Sequence, residues 1–515
     1  MRTFAFQCAP PVATSIWEQQ GSAIVGDAEY DYLGTSLALS ADAKTLVAGA
    51  PNSNNDTGYV KVYHAGEDGG SRTQLGQTIY GNATGDQFGY SVDVTAQGNV
   101  IVLGSPGSYS DNYRPGYVQV FSLDTGTTGT WKQVGQDIAG EAIGDDFGWS
   151  VSISDDGKTI AVGAYTNDGK NGEDSGRVRI YRLADDGASW EQIGEDIDGD
   201  AAGDRSGYSV SLSANGTIVA IGAPWAGIDG ILTGQVKVYR IDSGGSNWEQ
   251  LGESIYGDYE DDSFGASVDI SPDGNSLAVG TDVWDGPGYV KVFSLENGGG
   301  DDDDLGASSW KQIGLTITGE AYDVLFGVSV SLSDDANTLA VGAPYANSHW
   351  SGHVRVYRRD DSESGWTQIG EDIDGEADYD ESGWSVSLSG DGKTVAIGSY
   401  LNDDNGDNSG HVRVFVVECI VTSTSSTSST TTPEMNTVSE TSTACLFFFR
   451  RQGAMSHIVI FDTDICLPVR APRRDVDLEA TGFGHRRRCC RGLFGSFGGS
   501  LRGCQDSRGW SSWFV

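Results

Sequence analysis

Residues 147–164 read Phe-Gly-Trp-Ser-Val-Ser-Ile-Ser-Asp-Asp-Gly-Lys-Thr-Ile-Ala-Val-Gly-Ala, and this stretch decides the fold. Two runs of alternating small and β-branched residues lie on either side of Asp156-Gly157. Such alternation predicts half-buried strands, and Asp-Gly between two runs is a strong hairpin signal. The stretch therefore predicts an antiparallel strand pair, here named strands A and B.

Two further strands follow the hairpin. Residues 177–181 read Arg-Val-Arg-Ile-Tyr and are named strand C, and residues 190–194 read Trp-Glu-Gln-Ile-Gly and are named strand D. We find no stretch with a sustained helical period. Four short antiparallel strands in sequence order are the plan of one propeller blade.

The same unit recurs seven times, at a spacing of 55 to 62 residues. A fixed period with glycine punctuation indicates one supersecondary unit repeated along the chain. The sequence therefore predicts an all-β, seven-bladed β-propeller of four-stranded antiparallel blades. The seven strands D begin at Trp17, Arg72, Trp131, Trp190, Trp248, Trp310 and Trp366, so that arginine replaces tryptophan once.

The two ends of the array predict that it closes into a ring. Its first repeated element is a strand D at residues 17–21, and its last is a strand C at residues 410–415. A linear array would leave strand edges unpaired at both ends. We therefore expect residues 17–26 to complete the blade formed by residues 383–417.

Composition shifts divide the chain into four segments: a short leader at 1–16, the propeller at 17–417, a Ser/Thr-rich linker at 418–444 and a basic tail rich in Cys, Arg and Gly at 445–515. The leader is a poor signal peptide. The linker is typical of an O-glycosylated stalk or of a plain flexible spacer. The tail is predicted to be disordered, with a small disulfide module and a mistranslated gene end as alternatives.

The chain is strongly acidic, with 73 Asp and Glu against 32 Lys and Arg and a net charge of −41. An acidic body repels nucleic acids and anionic membrane surfaces, and no apolar run is long enough to span a bilayer. We expect a monomeric propeller without nucleic-acid partners or a transmembrane helix. Three glycosylation sequons, at Asn55, Asn82 and Asn215, fit a secreted or cell-surface protein.

The repeated Phe-Gly, as at Phe147-Gly148, and the repeated Gly-Ala-Pro, as at residues 222–224, resemble the FG-GAP repeat family over residues 17–417. That family includes the seven-bladed propeller at the head of integrin alpha chains. The Trp-x-Gln-x-Gly motif and the Ser/Thr-rich stalk are also similar to FG-GAP proteins of diatoms. The resemblance implies an extracellular or cell-surface scaffold that binds a protein or carbohydrate partner.

Several members of that family bind calcium through an Asp-x-Asp-x-Asp-Gly-x-x-Asp loop between strands A and B. Here the corresponding turns, such as residues 154–157, carry one or two acidic residues at most, whereas calcium requires six to eight oxygen ligands. We therefore do not transfer the family's metal site. The oxygen-rich segment at 402–407, with Asp403, Asn405 and Asp407, is the alternative place for a possible Ca²⁺.

In a propeller, the connections from D to A and from B to C lie on the same face. Each D–A connection but one carries an aspartate shortly before the glycine of strand A. These aspartates either form a cation-binding ring or cap their own turns, and their repetition favours the structural role. They are Asp31, Asp86, Asp145, Asp204, Asp262 and Asp380, with Val324 in the remaining copy.

The B–C connections differ between blades and are better candidates for specificity. Aromatic residues beside carboxylates and amides suit sugar or peptide recognition. The candidate ligand-binding residues are Trp225, Trp284, Tyr345, Trp350, Asp403 and Asp404, and Tyr109 is a further exposed-aromatic candidate.

We find no catalytic constellation and predict that the protein is not an enzyme. His353 and His411 share one strand C position, which indicates a structural surface role. The leading hypothesis is a binding or adhesion scaffold for a glycan, peptide or matrix partner. A carbohydrate-active propeller enzyme and an acidic wall or coat protein remain alternatives.

Overall fold

The computed structural model describes residues 13–66, 70–107, 115–124, 129–228, 230–284, 286–296, 308–320, 325–360 and 365–421, together with 504–505 and 511–512. The chain divides into two compact units, Met1–Thr424 and Ser425–Val515. In the second unit, the described residues are two short paired strands, Cys504–Gln505 and Ser511–Ser512. Most of the predicted linker therefore lies outside the described residues. The same holds for most of the tail that was predicted to be disordered.

The first unit is a seven-bladed propeller, as predicted. The strands A are Ser36–Leu39, Ser91–Val94, Ser150–Ile153, Ser209–Leu212, Ser267–Ile270, Ser329–Leu332 and Ser385–Leu388. The strands B are Thr45–Ala50, Val100–Ser105, Thr159–Ala164, Ile218–Ala223, Ser276–Gly280, Thr338–Ala343 and Thr394–Ser399. The strands C are Tyr59–Ala65, Tyr117–Asp124, Arg177–Leu183, Gln235–Ile241, Tyr289–Glu296, His353–Arg359 and His411–Val421.

Strand D is split into two pieces that both pair with strand C of the same blade. The first pieces are Arg72–Gln74, Thr130–Gln133, Trp190–Gln192, Trp248–Gln250, Ser309–Gln312, Trp366–Gln368 and Ala13–Gln19. The second pieces are Ile79–Tyr80, Ile138–Ala139, Ile197–Asp198, Ile255–Tyr256, Ile317–Thr318, Ile373–Asp374 and Ile24–Val25.

Few other elements are present among the described residues. A small hairpin of Gly227–Ile228 and Ile231–Leu232 lies in the B–C connection of blade 4. Two single helical turns, Ser53–Asp56 and Ser348–Trp350, lie in the B–C connections of blades 1 and 6. Neither turn approaches the length that a bilayer-spanning helix requires, and no other helix is described.

The hydrophobic core lies between neighbouring blades. Strand B of blade 3 is buried along all six residues, because the adjacent blades cover both of its faces. In one cluster, Val102 and Val120 of blade 2 pack with Ile160 and Val162 of blade 3. Each blade is therefore stabilised mainly by its two neighbours.

The ring closes as the sequence predicts. Ala13–Gln19 pairs antiparallel with His411–Val421, with Trp17 opposite Val417, and Ile24–Val25 pairs with the beginning of the same strand. The first strand of the array thus becomes the outer strand of blade 7. This pairing extends four residues beyond the predicted boundaries of 17 and 417.

One contact repeats at all seven blade interfaces and explains three motif positions together. The serine that begins strand A donates from its Oγ to the carbonyl of the strand A glycine in the next blade, at 2.7–2.8 Å. That glycine has a φ of +85° to +104°, a conformation that favours glycine. Its carbonyl would lie 2.0–2.2 Å from a Cβ on the glycine near the end of strand B, so no side chain fits there.

A second contact joins the outer strands. In six blades the tryptophan of strand D donates from Nε1 to a backbone carbonyl of the preceding blade, at 2.8–3.2 Å. The tryptophans are therefore inter-blade anchors. Arg72 instead donates to the carbonyls of Ala43 and Lys44 in its own blade. Burial lowers the pKa of Arg72 to about 10, and its Nε has no hydrogen-bond partner.

Deleting residues 1–26 should destabilise the propeller severely, because blade 7 would lose its outer strand and the outer edge of its strand C would be unpaired. We expect the melting temperature in differential scanning calorimetry to fall by more than about 10 °C. Deleting only residues 1–12, which precede the Ala13–Gln19 strand, is the control. An unchanged melting temperature for the longer deletion would contradict ring closure by the N-terminal strand.

Substitution of Arg72→Trp should stabilise the interface between blades 7 and 1. The indole of the new tryptophan would replace a desolvated guanidinium and supply the missing inter-blade hydrogen bond. We therefore expect the free energy of unfolding to rise by about 1–2 kcal/mol. The reciprocal change, Trp190→Arg, should cost about 3–5 kcal/mol. Both are measured by chemical denaturation, and a destabilised Arg72→Trp variant would show that this interface cannot accept the ring.

Candidate binding site at the axial mouth

The D–A and B–C connections meet on one face of the propeller, as predicted. At five blade interfaces, a single β-bridge joins the residue before the strand A glycine to the glycine that precedes strand C of the preceding blade. Leu33 with Gly410 and Phe147 with Gly116 are examples. This pairing places the variable B–C residues beside the regular D–A turns.

The repeated aspartates of the D–A connections are turn caps. Asp31 accepts hydrogen bonds from the backbone N–H groups of Asp27 and Ala28 and from the Tyr59 hydroxyl. All six aspartates accept at least one backbone N–H in this way, and all are at most 7% exposed. The structural interpretation is therefore correct, and these carboxylates do not form an open ring.

In every blade, the residue that follows the aspartate position has a left-handed backbone conformation, with φ between +47° and +56°. None of these seven residues is glycine. Such a conformation costs on the order of 1 kcal/mol or more for each side chain. Glycine would avoid this cost, yet the chain has seven different side chains at this strained position. They are Tyr32, Gln87, Asp146, Arg205, Ser263, Leu325 and Glu381.

Each left-handed residue accepts a backbone hydrogen bond from the residue that follows the strand A glycine. The latter residues surround the propeller axis, and we call their set the axial mouth. Four of the seven are aromatic and half-buried. The axial mouth consists of Thr35, Tyr90, Trp149, Tyr208, Ala266, Val328 and Trp384.

Aromatic contacts link the mouth to the B–C connections. Trp149 lies 4.5 Å from Tyr90, 4.4 Å from Tyr165 and 5.4 Å from Tyr208, measured between ring centroids. Trp384 lies 4.8 Å from Tyr400. A cavity of about 160 Å³ lies at the mouth and is lined by Tyr90, Trp149, Tyr208, Asp282, Trp284, Leu325, Val328 and Trp384.

The structure brings the four predicted tryptophan and tyrosine candidates to this region. Tyr345 lies 5.4 Å from Trp284 and 5.2 Å from Trp350, and Trp225 packs against Tyr208 at 5.3 Å. Trp284 is 60% exposed and lines the cavity. Tyr109 lies outside the described residues.

Two carboxylates with unusual surroundings lie among these rings. Burial raises the pKa of Asp282 to about 6 and also raises the pKa of Glu381. Glu381 accepts hydrogen bonds from the hydroxyls of Tyr345 and Tyr400. Burial and then the charges of Glu381 and Asp282 raise the pKa of Tyr345 to about 12. Asp282 Oδ1 and Glu381 Oε2 are buried without a hydrogen-bond partner.

Asp403 and Asp404 do not join the aromatic group. Asp403 accepts from the N–H of Asn408, and Asp404 Oδ2 lies 3.3 Å from His411 Nδ1. Asn405 donates to the carbonyls of Gly26 and Asp27, and Asp407 accepts from the Tyr30 hydroxyl. A calcium ion held by residues 403–407 would have to displace these bonds.

Asp404, His411 and Glu376 place ligand-type atoms within 4.8 Å of one another. The Arg413 guanidinium lies 3.5 Å from Glu376 and reduces the attraction of this group for a cation. His411 and His353 are both buried, and burial lowers the pKa of each. The expected surface role of these histidines is therefore wrong, although their equivalent placement is confirmed.

The three sequon asparagines, Asn55, Asn82 and Asn215, are exposed. The Asn215 side chain also accepts bonds from Ser213 and Thr217, a role that aspartate fills in the equivalent turn at Asp156. Glycosylation at Asn215 would therefore act on a residue that already stabilises its turn.

Below the mouth, the third residues of the strands A form a hydrogen-bonded belt. In six blades their side chains accept the backbone N–H of the next strand A, at 2.7–3.1 Å. Five are serine or alanine, and two are aspartate. Enclosure by the strands raises the pKa of Asp93 to about 6 and of Asp269 to about 7.

Sequence reasoning missed the mouth residues and the left-handed residues. It assigned specificity to the B–C connections alone and treated the D–A connection as regular. A signal was present, because the position after the strand A glycine is aromatic in four of seven repeats whereas its neighbours are invariant glycine and serine. Glu381 carried no comparable signal, since acidic residues are abundant in this chain.

The FG-GAP repeat model matches residues 139–181 and 373–415. Each matched range runs from the end of one strand D through strand C of the next blade. The chain thus contains FG-GAP repeats in a seven-bladed propeller, consistent with the type found in integrin alpha chains.

No curated protein sequence matches the chain. A solved structure from Bacteroides uniformis, described as a candidate 6-phosphogluconolactonase, is similar at 16% identity with a TM-score of 0.47. The similarity covers 66% of this chain and 85% of the other. It supports no conclusion about chemistry.

Replacing Asp269 by asparagine should make stability less dependent on pH. The folded protein holds the Asp269 proton up to about pH 7, whereas the ordinary pKa is 3.8. The folded state therefore binds more protons between these values, and stability falls as pH rises through this window. Asparagine can still accept from Leu332 N–H and donate to Ser211 Oγ.

We expect Asp269→Asn to match the parent at pH 4 and to exceed its unfolding free energy by about 1–3 kcal/mol at pH 8. Urea denaturation across this range provides the measurement. The exposed Asp185→Asn variant is the control for a change of one charge. A stability difference that does not grow with pH would contradict the raised pKa.

Proposed function

We propose that this protein is a non-catalytic binding scaffold that acts outside the cell or at its surface. In this proposal the axial mouth recognises a glycan, a peptide or a matrix partner. The FG-GAP propeller supports a binding or scaffold role in general. The finer assignment rests on the mouth, where half-buried aromatic rings surround a cavity on the variable face.

The contrast between shared and variable positions supports this assignment. Serine, glycine and tryptophan positions repeat because they hold adjacent blades together. The left-handed residue differs in every blade, and the mouth position carries five different residue types among seven blades, although each set occupies equivalent backbone sites. Retained strain at such sites is typical of functional surfaces, and aromatic side chains in a pocket commonly dominate binding energy.

Aromatic faces at the mouth suit this ligand range. Trp284 and Trp350 are 60% and 48% exposed and offer flat apolar surfaces, and Trp284 lines the cavity together with Asp282. Such rings stack on sugar faces or on peptide side chains, while the polar groups fix orientation. Binding requires no chemical step and no bound group.

The test is a binding screen on glycan and peptide arrays, followed by affinity measurements on the strongest ligand. Trp284→Ala and Trp384→Ala should each weaken binding at least tenfold, which is about 1.4 kcal/mol. Both variants should retain the parent's melting behaviour within about 3 °C. Tyr80→Ala is the matched control, because Tyr80 is 58% exposed on the outer strand of blade 1.

If the ligand binds both tryptophan variants as tightly as the parent, the site lies elsewhere and the proposal fails. Equal loss in Tyr80→Ala would indicate a nonspecific aromatic effect and would also reject the mouth as the site.

A further inference from the structure

A cation from the chain itself, Arg205, lies beside the axial mouth and over aromatic rings of blades 3 and 4. The Arg205 guanidinium carbon lies 4.4 Å from the centroid of Trp225 and 5.8 Å from that of Tyr165. Both distances are within the range of cation–π attraction. The left-handed residue Arg205 therefore supplies a positive charge to these aromatic rings.

A second group of aromatic rings lies at the same face in blades 5 to 7 and is accompanied by negative charge. It comprises Trp284, Tyr345, Trp350, Trp384 and Tyr400, which we call the blade 5–7 cage. Among the described residues, no lysine or arginine lies over any of these rings. The neighbouring His349 contacts Tyr379, with ring centroids 6.1 Å apart, and its Nδ1 lies 3.5 Å from Asp378 Oδ2.

Two carboxylates lie beside the blade 5–7 cage, whereas the aromatic rings of blades 3 and 4 have the cation Arg205. Glu381 occupies the same left-handed position as Arg205 and is 4% exposed. Asp282 lines the cavity directly. Each has one buried oxygen without a partner, although buried polar atoms are almost always hydrogen-bonded. Unpaired carboxylate oxygens require a donor.

We propose that the blade 5–7 cage binds an alkylammonium group, the head group of a lysine side chain or of a polyamine. This inference rests on the proposed function of the mouth. An ammonium group has three donors and no acceptor, so it can satisfy Asp282 Oδ1 and Glu381 Oε2 while its alkyl stem packs against the rings. The net charge of −41 attracts such a ligand, whereas it repels an anionic one.

The inference is tested by tryptophan fluorescence titration of the full chain with Nα-acetyl-lysine methylamide. Nα-acetyl-norleucine methylamide has the same backbone and a similar stem without the ammonium, and it is the matched ligand control. Spermidine is titrated separately to distinguish a polyamine from a peptide source. We expect saturable binding of an ammonium probe at least roughly tenfold tighter than binding of the norleucine probe.

Asp282→Asn and Glu381→Gln should each weaken binding of the ammonium probe roughly tenfold or more. Both keep the shape of the side chain, so folding is checked by an unchanged melting curve. Asp378→Asn is the control, because this exposed carboxylate lies in the D–A connection of the same face and its loss changes the net charge equally. That variant should bind the probe within about threefold of the parent.

Equal affinity for the norleucine probe, or unchanged affinity in Asp282→Asn and Glu381→Gln together, would overturn the inference. Binding of a neutral ligand that needs Trp284 and Trp384 but neither carboxylate would also overturn it, and would leave the proposed function intact. If the two tryptophans are dispensable for every ligand, the proposed function itself fails.

Discussion

The whole ring depends on a close approach of backbones at each blade interface. A glycine near the end of one strand B faces the carbonyl of a glycine at the start of the next strand A, and there is no space for a Cβ between them. The serine of strand A donates to that same carbonyl. Because buried polar groups require partners, these three residues act together. This explains why they persist in all seven repeats while the surrounding sequence changes.

This interface also separates the positions that serve the fold from those that are free to vary. Glycine, serine and tryptophan hold neighbouring blades, and the capping aspartates hold the D–A turns. Two positions beside them, the left-handed residue and the residue after the strand A glycine, have fixed backbones but unrestricted side chains. A rigid frame thus presents up to fourteen variable side chains around one axis, and the proposed ligand recognition draws on these.

The sequence predicted the architecture well because each propeller constraint leaves a local mark. Alternating residues predicted the strands. The array begins with a strand D at Trp17 and ends with a strand C at Gly410, which predicted the ring closure. The recurrence of Asp31 at equivalent positions in other blades indicated a turn cap. The site was harder to predict. Trp149 directly precedes the serine that begins strand A, and nothing in the sequence says that its side chain faces the axis. The pairing of Glu381 with Tyr345 depends on packing between blades, which no local pattern reveals. The burial of His411 was likewise hidden, because alternation does not show which strand face a neighbouring blade covers.

The origin of blade 7 from both ends of the array has a consequence for biosynthesis. Among the strands of the propeller, Ala13–Gln19 is synthesised first and its partner, His411–Val421, is synthesised last. At ordinary elongation rates of 5–20 residues per second, the interval between them is roughly 20–80 s. During that time the nascent chain carries an unpaired β-strand edge, which is prone to associate with other chains. Shielding of this early strand until its partner emerges from the ribosome would therefore favour the yield of native protein.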